Sequence, residues 1–259
     1  MKKTIFISGI FLFFVFVTFA QAPQKASGKN NIEMNVDMPD ETQETDLIEK
    51  GHWQVETAYL HNYYKEGKHS SIAQGLFRYG VSKHLELRLL VEAGSELQRY
   101  IEETVQSTYP AAASAKILLL KDHKYLPDIT LVSFLQLPFY NVSKDKKAYW
   151  SPIFLLAFQN EFGKKWKLEY NAGIQQEAFS TQWAWVGNAS LHYKLSDQLE
   201  LFTEYFAQYK SGDNPQHNLG AGVAYQLNNY FQFFAMAGGT VDYAESNHYF
   251  NVGVAFRIP

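Results

Sequence analysis

The chain has 259 residues, a formal charge of −3 and no cysteine, and 16% of its residues are aromatic. The lack of cysteine excludes disulfides, thiolate metal sites and a cysteine nucleophile. The slightly acidic charge gives no electrostatic reason to expect nucleic acid as a partner. Only 46% of the residues are hydrophobic, which is too few for a helical membrane protein.

The first 20 residues have the pattern of a secretory signal peptide. The basic start Met1-Lys2-Lys3 is followed by an apolar run from Ile5 to Ala20. This run is short for a membrane span, which needs about 20 residues. The small residue Ala20 suits a cleavage site. Residues 1–20 are therefore predicted to be a signal peptide that is removed on export.

Residues 21–50 form a polar, acidic segment that lacks apolar periodicity. Seven acidic residues lie between Asn31 and Lys50, against the single base Lys50. We predict an extended or disordered segment. It either remains solvated in the periplasm or folds into a pore and pairs with basic residues there. Because runs of charge are usually solvated, we favour the solvated tail.

Residues 51–259 read as a series of strands in which apolar and polar side chains alternate. Twelve strands are predicted near residues 52–62, 69–80, 84–95, 110–121, 128–139, 151–162, 166–177, 182–194, 198–209, 217–227, 230–240 and 247–257. Each is long enough to cross a bilayer, which takes about 9–11 tilted residues. A soluble exported β-sandwich or lipocalin-like barrel also alternates, but it needs no strands of this length.

Short polar turns alternate with mostly longer polar loops along these strands, which is typical of outer-membrane barrels. The predicted fold is therefore all-β. It is an antiparallel transmembrane β-barrel of about 12 strands in the bacterial outer membrane, with short periplasmic turns and longer outer loops. Outer-membrane lipid is the predicted partner of its outer surface.

Alternation also assigns the two faces of the wall. Leu87 and Leu89 are predicted to face lipid, as are Val252 and Val254, whereas Asn251 is predicted to face inward. Aromatic residues near strand ends are predicted to form two interfacial girdles. The predicted girdle residues are Trp53, Tyr59, Tyr79, Trp150, Trp166, Trp183, Trp185, Tyr193, Tyr205, Tyr225, Tyr230 and Tyr249.

The inward positions carry charges of both signs. The predicted lumen charge network is Glu56, Arg78, Glu86, Arg88, Glu92, Glu169, Glu200 and Glu204. Because unpaired charge in a narrow lumen is costly, these residues are expected to pair across strands. The network either fills and stiffens the barrel or lines a selective path, as rings of charge do in other pores.

Several stretches resemble a known family. The most informative are Leu76-Phe-Arg-Tyr-Gly-Val-Ser82 and Leu85-Glu-Leu-Arg88. Further similar stretches are residues 37–44, 50–56, 170–173, 204–205 and 252–259. The chain is similar to outer-membrane transporter-like barrels of Bacteroidetes, in the family named for the MetA pathway of phenol degradation. The resemblance implies an outer-membrane barrel and carries over no catalytic residue and no substrate.

The leading functional hypothesis is passive transport of a small-molecule solute through a narrow charged lumen. The alternatives are a non-conducting structural or loop-binding barrel and, less favoured, an outer-membrane hydrolase. Ser190, His192 and Asp197 are near one another in sequence, but nothing marks a nucleophile. The eight histidines are scattered without the spacing of metal ligands. No catalytic, metal or cofactor site is predicted.

Overall fold

A computed structural model describes residues 34–38, 41–64, 69–97, 104–108, 111–138, 149–176, 181–212, 214–241 and 247–258. The predicted signal peptide lies outside the described residues, as do most of the predicted outer loops. Every regular element within these ranges is a β-strand. No helix in the described part of the chain is long and apolar enough to cross a membrane.

Thirteen β-strands follow one another in the described chain. Their bounds are β1 (Trp53–Tyr64), β2 (His69–Ser82), β3 (Leu85–Leu97), β4 (Thr104–Thr108), β5 (Ala112–Leu120), β6 (Asp128–Gln136), β7 (Ser151–Phe162), β8 (Trp166–Gln176), β9 (Trp183–Lys194), β10 (Leu199–Lys210), β11 (Gln216–Asn228), β12 (Phe231–Val241) and β13 (Asn247–Ile258). All except β4 coincide with predicted strands to within a few residues.

The sheet closes on itself through antiparallel pairs. β1 pairs with β13 from Trp53–Ile258 to Tyr64–Asn247, and β2 pairs with both β1 and β3. β5 pairs with the first half of β3, as far as Leu90, and β4 pairs with the second half. β4 and β5 therefore share one position in a closed barrel of twelve strands, which confirms the predicted fold class.

β4 lies between the predicted strands near residues 84–95 and 110–121, where the sequence analysis leaves an outer loop. β3 continues to Leu97, well beyond the end of its pairing with β5 at Leu90. The backbone groups of this extension need hydrogen-bond partners, and β4 supplies them. A run of five residues is too short for side-chain alternation to reveal it, so the prediction of a plain loop is wrong here.

Short connections lie at the end of the barrel that holds Trp53 and Ile258. Residues 83–84 join β2 to β3, residues 163–165 join β7 to β8, and residues 229–230 join β11 to β12. In outer-membrane barrels the short turns are periplasmic, and we assign this end to the periplasm on that basis. The opposite connections, predicted to be the longer outer loops, lie largely outside the described residues.

The barrel wall is apolar outside and polar inside. Leu87, Leu89 and Val252 are exposed on the outer surface, whereas Arg88 and Asn251 are buried. A soluble protein shows the opposite distribution, since its large apolar side chains are mostly buried. An apolar outer band is what lipid requires. These positions confirm the faces predicted for β3 and β13.

Aromatic rings gather at the periplasmic end, where Trp53 and Tyr79 lie 4.6 Å apart between ring centroids. Three of the predicted girdle positions are wrong. Tyr59 lies in the middle of β1, and Tyr205 lies at the same place in β10. Tyr249 points into the lumen and packs with Met236, because the alternation that directs Phe250 to the lipid directs its neighbour inward.

Candidate functional site

The chain that precedes the barrel lies inside it. We call residues 34–38 and 41–50 the lumen segment. Its buried members are Met34, Val36, Asp37, Thr42, Glu44, Thr45 and Ile48. The expectation of a solvated tail is therefore wrong for these residues. The barrel wall supplies cations and hydrogen-bond partners that offset the cost of removing the segment from water.

The lumen segment joins the barrel beside Gly80 on β2. Lys50 forms a parallel bridge with Gly80, and the Gly51 amide donates to the Gly80 carbonyl at 2.8 Å. Gly51 has a φ of 87°, a conformation that favours glycine. A Cβ on Gly80 would lie 2.2 Å from the carbonyl oxygen of Glu49. Glycine at position 80 therefore lets the segment enter close to the wall.

Gly80→Ala is expected to lower the free energy of unfolding by about 1–3 kcal/mol, the usual cost of overpacking. The added methyl group meets backbone atoms of the lumen segment, which cannot rotate away. The measurement is urea-induced unfolding of the refolded barrel. Gly187→Ala is the matched control, because nothing lies within 4 Å of a Cβ there. Equal free energies of unfolding for the Gly80→Ala and Gly187→Ala barrels would contradict the close approach of the lumen segment to Gly80.

From Gly80 the lumen segment crosses the barrel from wall to wall. Its bonds run from Ile48 N to Glu86 (2.7 Å), Thr45 Oγ1 to Gln159 (2.9 Å), Gln43 N to Asn171 (2.7 Å), Thr42 Oγ1 to Glu204 (2.5 Å), Met38 N to Glu56 (2.9 Å) and Met34 N to Gln226 (3.2 Å). These partners lie on β3, β7, β8, β10, β1 and β11. The segment thus forms a partition across the lumen.

Asp37 is the centre of this partition. Its carboxylate lies 3.2 Å from Arg78, 3.1 Å from Arg88 and 3.0 Å from Lys116, and all four side chains are fully buried. The backbone amide of Glu44 donates to the same carboxylate at 2.9 Å, which brings residues 37 and 44 of the lumen segment together. Three cations from three neighbouring strands therefore converge on one acid of the lumen segment.

Two acids of the wall balance these cations. Arg78 bonds to Glu56 at 2.7 Å and to Glu86 at 2.7 Å. We call Asp37, Glu56, Arg78, Glu86, Arg88 and Lys116 the Asp37 cluster. It contains three acids and three bases. Buried charge is tolerated when it is paired in this way, whereas removal of one partner leaves an uncompensated ion.

A second cluster lies on the β8–β10 wall. Lys167 lies 3.1 Å from Glu44 of the lumen segment and 2.9 Å from Glu169. His192 lies 3.1 Å from Glu169 and 2.7 Å from Glu200. We call these five residues the Lys167 cluster. It holds the segment on the side of the barrel opposite the Asp37 cluster.

The residues considered for a hydrolase do not form a catalytic group. Both ring nitrogens of His192 face carboxylates, and Ser190 is completely buried. Asp197 lies in the exposed turn between β9 and β10. A catalytic triad needs a nucleophile, base and acid that bond in series around an accessible site, and these three residues do not supply it.

The residues of the predicted lumen charge network all lie on inward-facing positions. The Asp37 cluster contains four of them: Glu56, Arg78, Glu86 and Arg88. The Lys167 cluster contains Glu169 and Glu200. The remaining two, Glu92 and Glu204, lie outside both clusters. Glu92 accepts a hydrogen bond from Gln74 at 2.5 Å. The bonds to Glu204 come from the lumen segment.

Sequence reasoning missed Asp37, Lys116 and Lys167 as members of these clusters. Lys167 stands two residues before Glu169 on a predicted strand, and strand alternation gives both the same face. Lys116 similarly alternates with the outward-facing Ile117. Both lysines could therefore have been found. Asp37 could not, because its three partners come from separate strands that only the closed barrel brings together.

A cavity of about 520 Å³ lies on the outer side of the lumen segment, and we call it the vestibule. Its floor is formed by Asp37, Met38, Glu41 and Gln43. Its polar wall residues include Asn62, Gln74, Gln136, Gln175, Asn188, Asn218, Thr240 and Asn247, and its apolar wall residues include Leu60, Leu76, Leu90, Phe134, Ile153, Leu155, Val186, Phe206 and Met236. Within the described residues, the vestibule thus lies on the side of the lumen segment that is away from Trp53 and Ile258.

Several solved structures with a similar fold are outer-membrane proteins. An outer-membrane channel from Pseudomonas putida F1 is 11% identical, with a TM-score of 0.64 over 83% of this chain and 98% of its own. The KdgM porin is 11% identical, with a TM-score of 0.50 over 78% and 98% of the two chains. The translocator domain of the autotransporter NalP from Neisseria meningitidis is 12% identical, with a TM-score of 0.50 over 79% and 87%. At these identities the similarity shows the fold of an outer-membrane barrel.

No curated protein matches the sequence. The sequence profile of one family matches residues 36–258, which include most of the lumen segment and nearly all of the barrel. This match confirms the resemblance to the MetA-pathway family, and the chain belongs to the family described as "Putative MetA-pathway of phenol degradation".

Proposed function

We propose that this protein is a passive channel for small molecules in the bacterial outer membrane, closed on its periplasmic side by the lumen segment. The vestibule is the observation that carries this proposal. Its volume of about 520 Å³ lies within the range of small-molecule sites, about 300–1,000 Å³. A solute that enters from outside would reach the floor at Met38 and Glu41 and stop there until the segment moves.

The way in which the segment is held supports a reversible closure. It is bound by ion pairs and hydrogen bonds, which water and counter-ions can replace. Its covalent link to the barrel is the chain at Lys50 and Gly51. If the predicted signal peptide is removed near Ala20, the segment belongs to a free chain end. It could then leave the lumen without the opening of any strand pair, which lipid would penalise heavily.

A second candidate is a non-conducting structural barrel, and the closed floor favours it. In that case the Asp37 cluster stiffens the wall permanently, and the lumen segment completes the barrel interior. Barrels of eight strands have filled interiors and barrels of about 16–18 strands have open ones. A barrel of twelve strands lies between these cases, so the two candidates are separated by experiment.

The test is the single-channel conductance of refolded residues 21–259 and of refolded residues 51–259 in planar bilayers. We expect brief or rare openings for the longer chain and sustained, larger steps for the shorter one. A shorter chain that refolds with native strand content but passes no current would favour the structural barrel. Equal sustained conductance of both chains would contradict closure by the segment.

A further inference from the structure

In the described part of the chain, some acidic residues of the lumen segment and the barrel wall have a basic ion-pair partner, and others do not. The acids of the Asp37 and Lys167 clusters all have basic partners. Glu41, Glu92 and Glu204 do not: none of them has an ion-pair partner among the residues that the structure describes. Glu41 and Glu204 line the vestibule, and Glu92 is bonded to Gln74, which also lines it.

The groups around Glu41 add further acceptors. The Glu41 backbone amide donates to Glu204 at 3.2 Å, and the Asn188 side-chain amide donates to the Glu41 carbonyl at 2.9 Å. Asn188 lines the vestibule and is 7% exposed, and its carbonyl oxygen has no hydrogen-bond partner in the described structure. A buried acceptor that lacks a donor is costly. Two carboxylates and an orphan amide oxygen therefore gather at one side of the floor.

Arg88 is the basic residue among the described lining of the vestibule, and it already has interaction partners. Arg88 lies 3.1 Å from Asp37, donates to Gln43 at 2.9 Å and sits 5.1 Å from the ring centroid of Phe134. Its charge is therefore committed to the floor and offers little to an anionic solute. The described lining of the vestibule therefore holds more acids than bases.

The spacing of the three carboxylates indicates the kind of cation. Glu92 lies on β3 and Glu204 on β10, six strand positions apart in either direction around the barrel. A bare metal ion needs several oxygen ligands at about 2.0–2.6 Å, and no three carboxylate or histidine side chains of the described residues are placed to hold one. Apolar side chains such as Phe206, Leu155 and Val186 form much of the remaining wall. The site suits a charged head joined to an apolar body.

We propose that the vestibule binds a small organic cation, an amine with an apolar body, whose ammonium group lies against Glu41 and whose body packs on the aliphatic and aromatic wall. This inference rests on the proposed function, since it names the solute class of the same lumen. Binding supplies the missing counter-charge for Glu41 and Glu204. An anion of the same shape is repelled by these carboxylates.

The test uses three probes of one shape and different charge: 2-phenylethylammonium, 2-phenylethanol and phenylacetate. Their binding to refolded residues 21–259 in detergent is measured by isothermal titration calorimetry. We expect the ammonium probe to bind at least tenfold more tightly than the alcohol, and phenylacetate to show no binding. Glu41→Gln is expected to weaken the ammonium probe about tenfold, as loss of one charged hydrogen bond does, and to leave the alcohol unchanged.

Glu49→Gln is the matched control, because it removes the same charge from an exposed position outside the vestibule. Equal affinity of the ammonium and alcohol probes, or a Glu41→Gln variant that binds the ammonium probe as the unaltered chain does, would overturn the inference. The measurement requires no conduction. A barrel that passes no current but binds the ammonium probe selectively would refute the proposed channel and support the cation site. A barrel that conducts but binds the ammonium and alcohol probes equally would support the channel and refute the cation site.

Discussion

Asp37→Asn is expected to release the lumen segment from the barrel. Asn keeps the size of the side chain but removes the charge that Arg78, Arg88 and Lys116 share. Loss of one partner from a buried ionic cluster typically costs about 3–5 kcal/mol. Each 1.4 kcal/mol is a tenfold change in an equilibrium, so the fraction of molecules with a released segment should rise by about two to four powers of ten.

The measurement is hydrogen exchange of the backbone amides of Met38, Gln43 and Ile48, which donate to Glu56, Asn171 and Glu86 on the barrel wall. All three should exchange much faster in the variant. Strand amides of the barrel should keep their protection.

Asp46→Asn is the matched control for this variant. Asp46 belongs to the same segment but pairs with Lys121, a partly exposed residue in the turn after β5. Exposed ion pairs contribute about 0–1 kcal/mol, so this variant should retain the protection of the segment. If Asp37→Asn and Asp46→Asn change the exchange rates equally, Asp37 is not the residue that holds the partition.

Leu156→Arg is expected to lower the free energy of unfolding in lipid by about 2–4 kcal/mol. Leu156 is exposed on the outer surface and pairs with Leu131 and Ala172 in the middle of their strands. A charge at this position would lie near the middle of the hydrocarbon layer, where it has neither water nor a partner.

Leu87→Arg is the control that places the same charge on the lipid-facing surface at a different depth. Leu87 pairs with Tyr79, whose ring packs on Trp53 at the periplasmic girdle. A lipid-facing charge near an interface costs about 0–1 kcal/mol. The measurement is chemical unfolding of both variants in phospholipid vesicles. A Leu156→Arg barrel as stable as the Leu87→Arg barrel would show that the depth assigned from the strand register is wrong.

Most of the barrel follows from local patterns in the sequence. The alternation of Leu85, Leu87 and Leu89 with Glu86 and Arg88 is a property of neighbouring residues, and a strand turns it directly into two faces. The strand length and the short turns then lead to a membrane barrel, because closure is the way for strands to satisfy their backbone groups in lipid. The pairing of β4 with the end of β3 was not predicted, because it depends on which residues of β3 are left unpaired by β5.

The partition in the lumen follows from no local pattern. Residues 31–50 look like a solvated run of acids, because nothing near them in sequence neutralises them. Their counter-charges are Arg78, Arg88, Lys116 and Lys167, which lie far along the chain and converge only when the barrel closes. Inward-facing charges were predictable from strand alternation. The lumen segment that binds these charges was not predictable, because it forms no strand and its sequence has no periodicity.

The position of the lumen segment is tested most directly by the accessibility of single cysteines. The chain contains no cysteine, so each introduced thiol reports alone. Val36 is 3% exposed, whereas Glu49 is exposed near Gly80, where the lumen segment joins the barrel. A membrane-impermeant thiol reagent should label Glu49→Cys rapidly and Val36→Cys slowly, and Asp37→Asn should accelerate labelling of Val36→Cys. Rapid labelling of Val36→Cys in the otherwise unaltered barrel would contradict a lumen closed by the lumen segment.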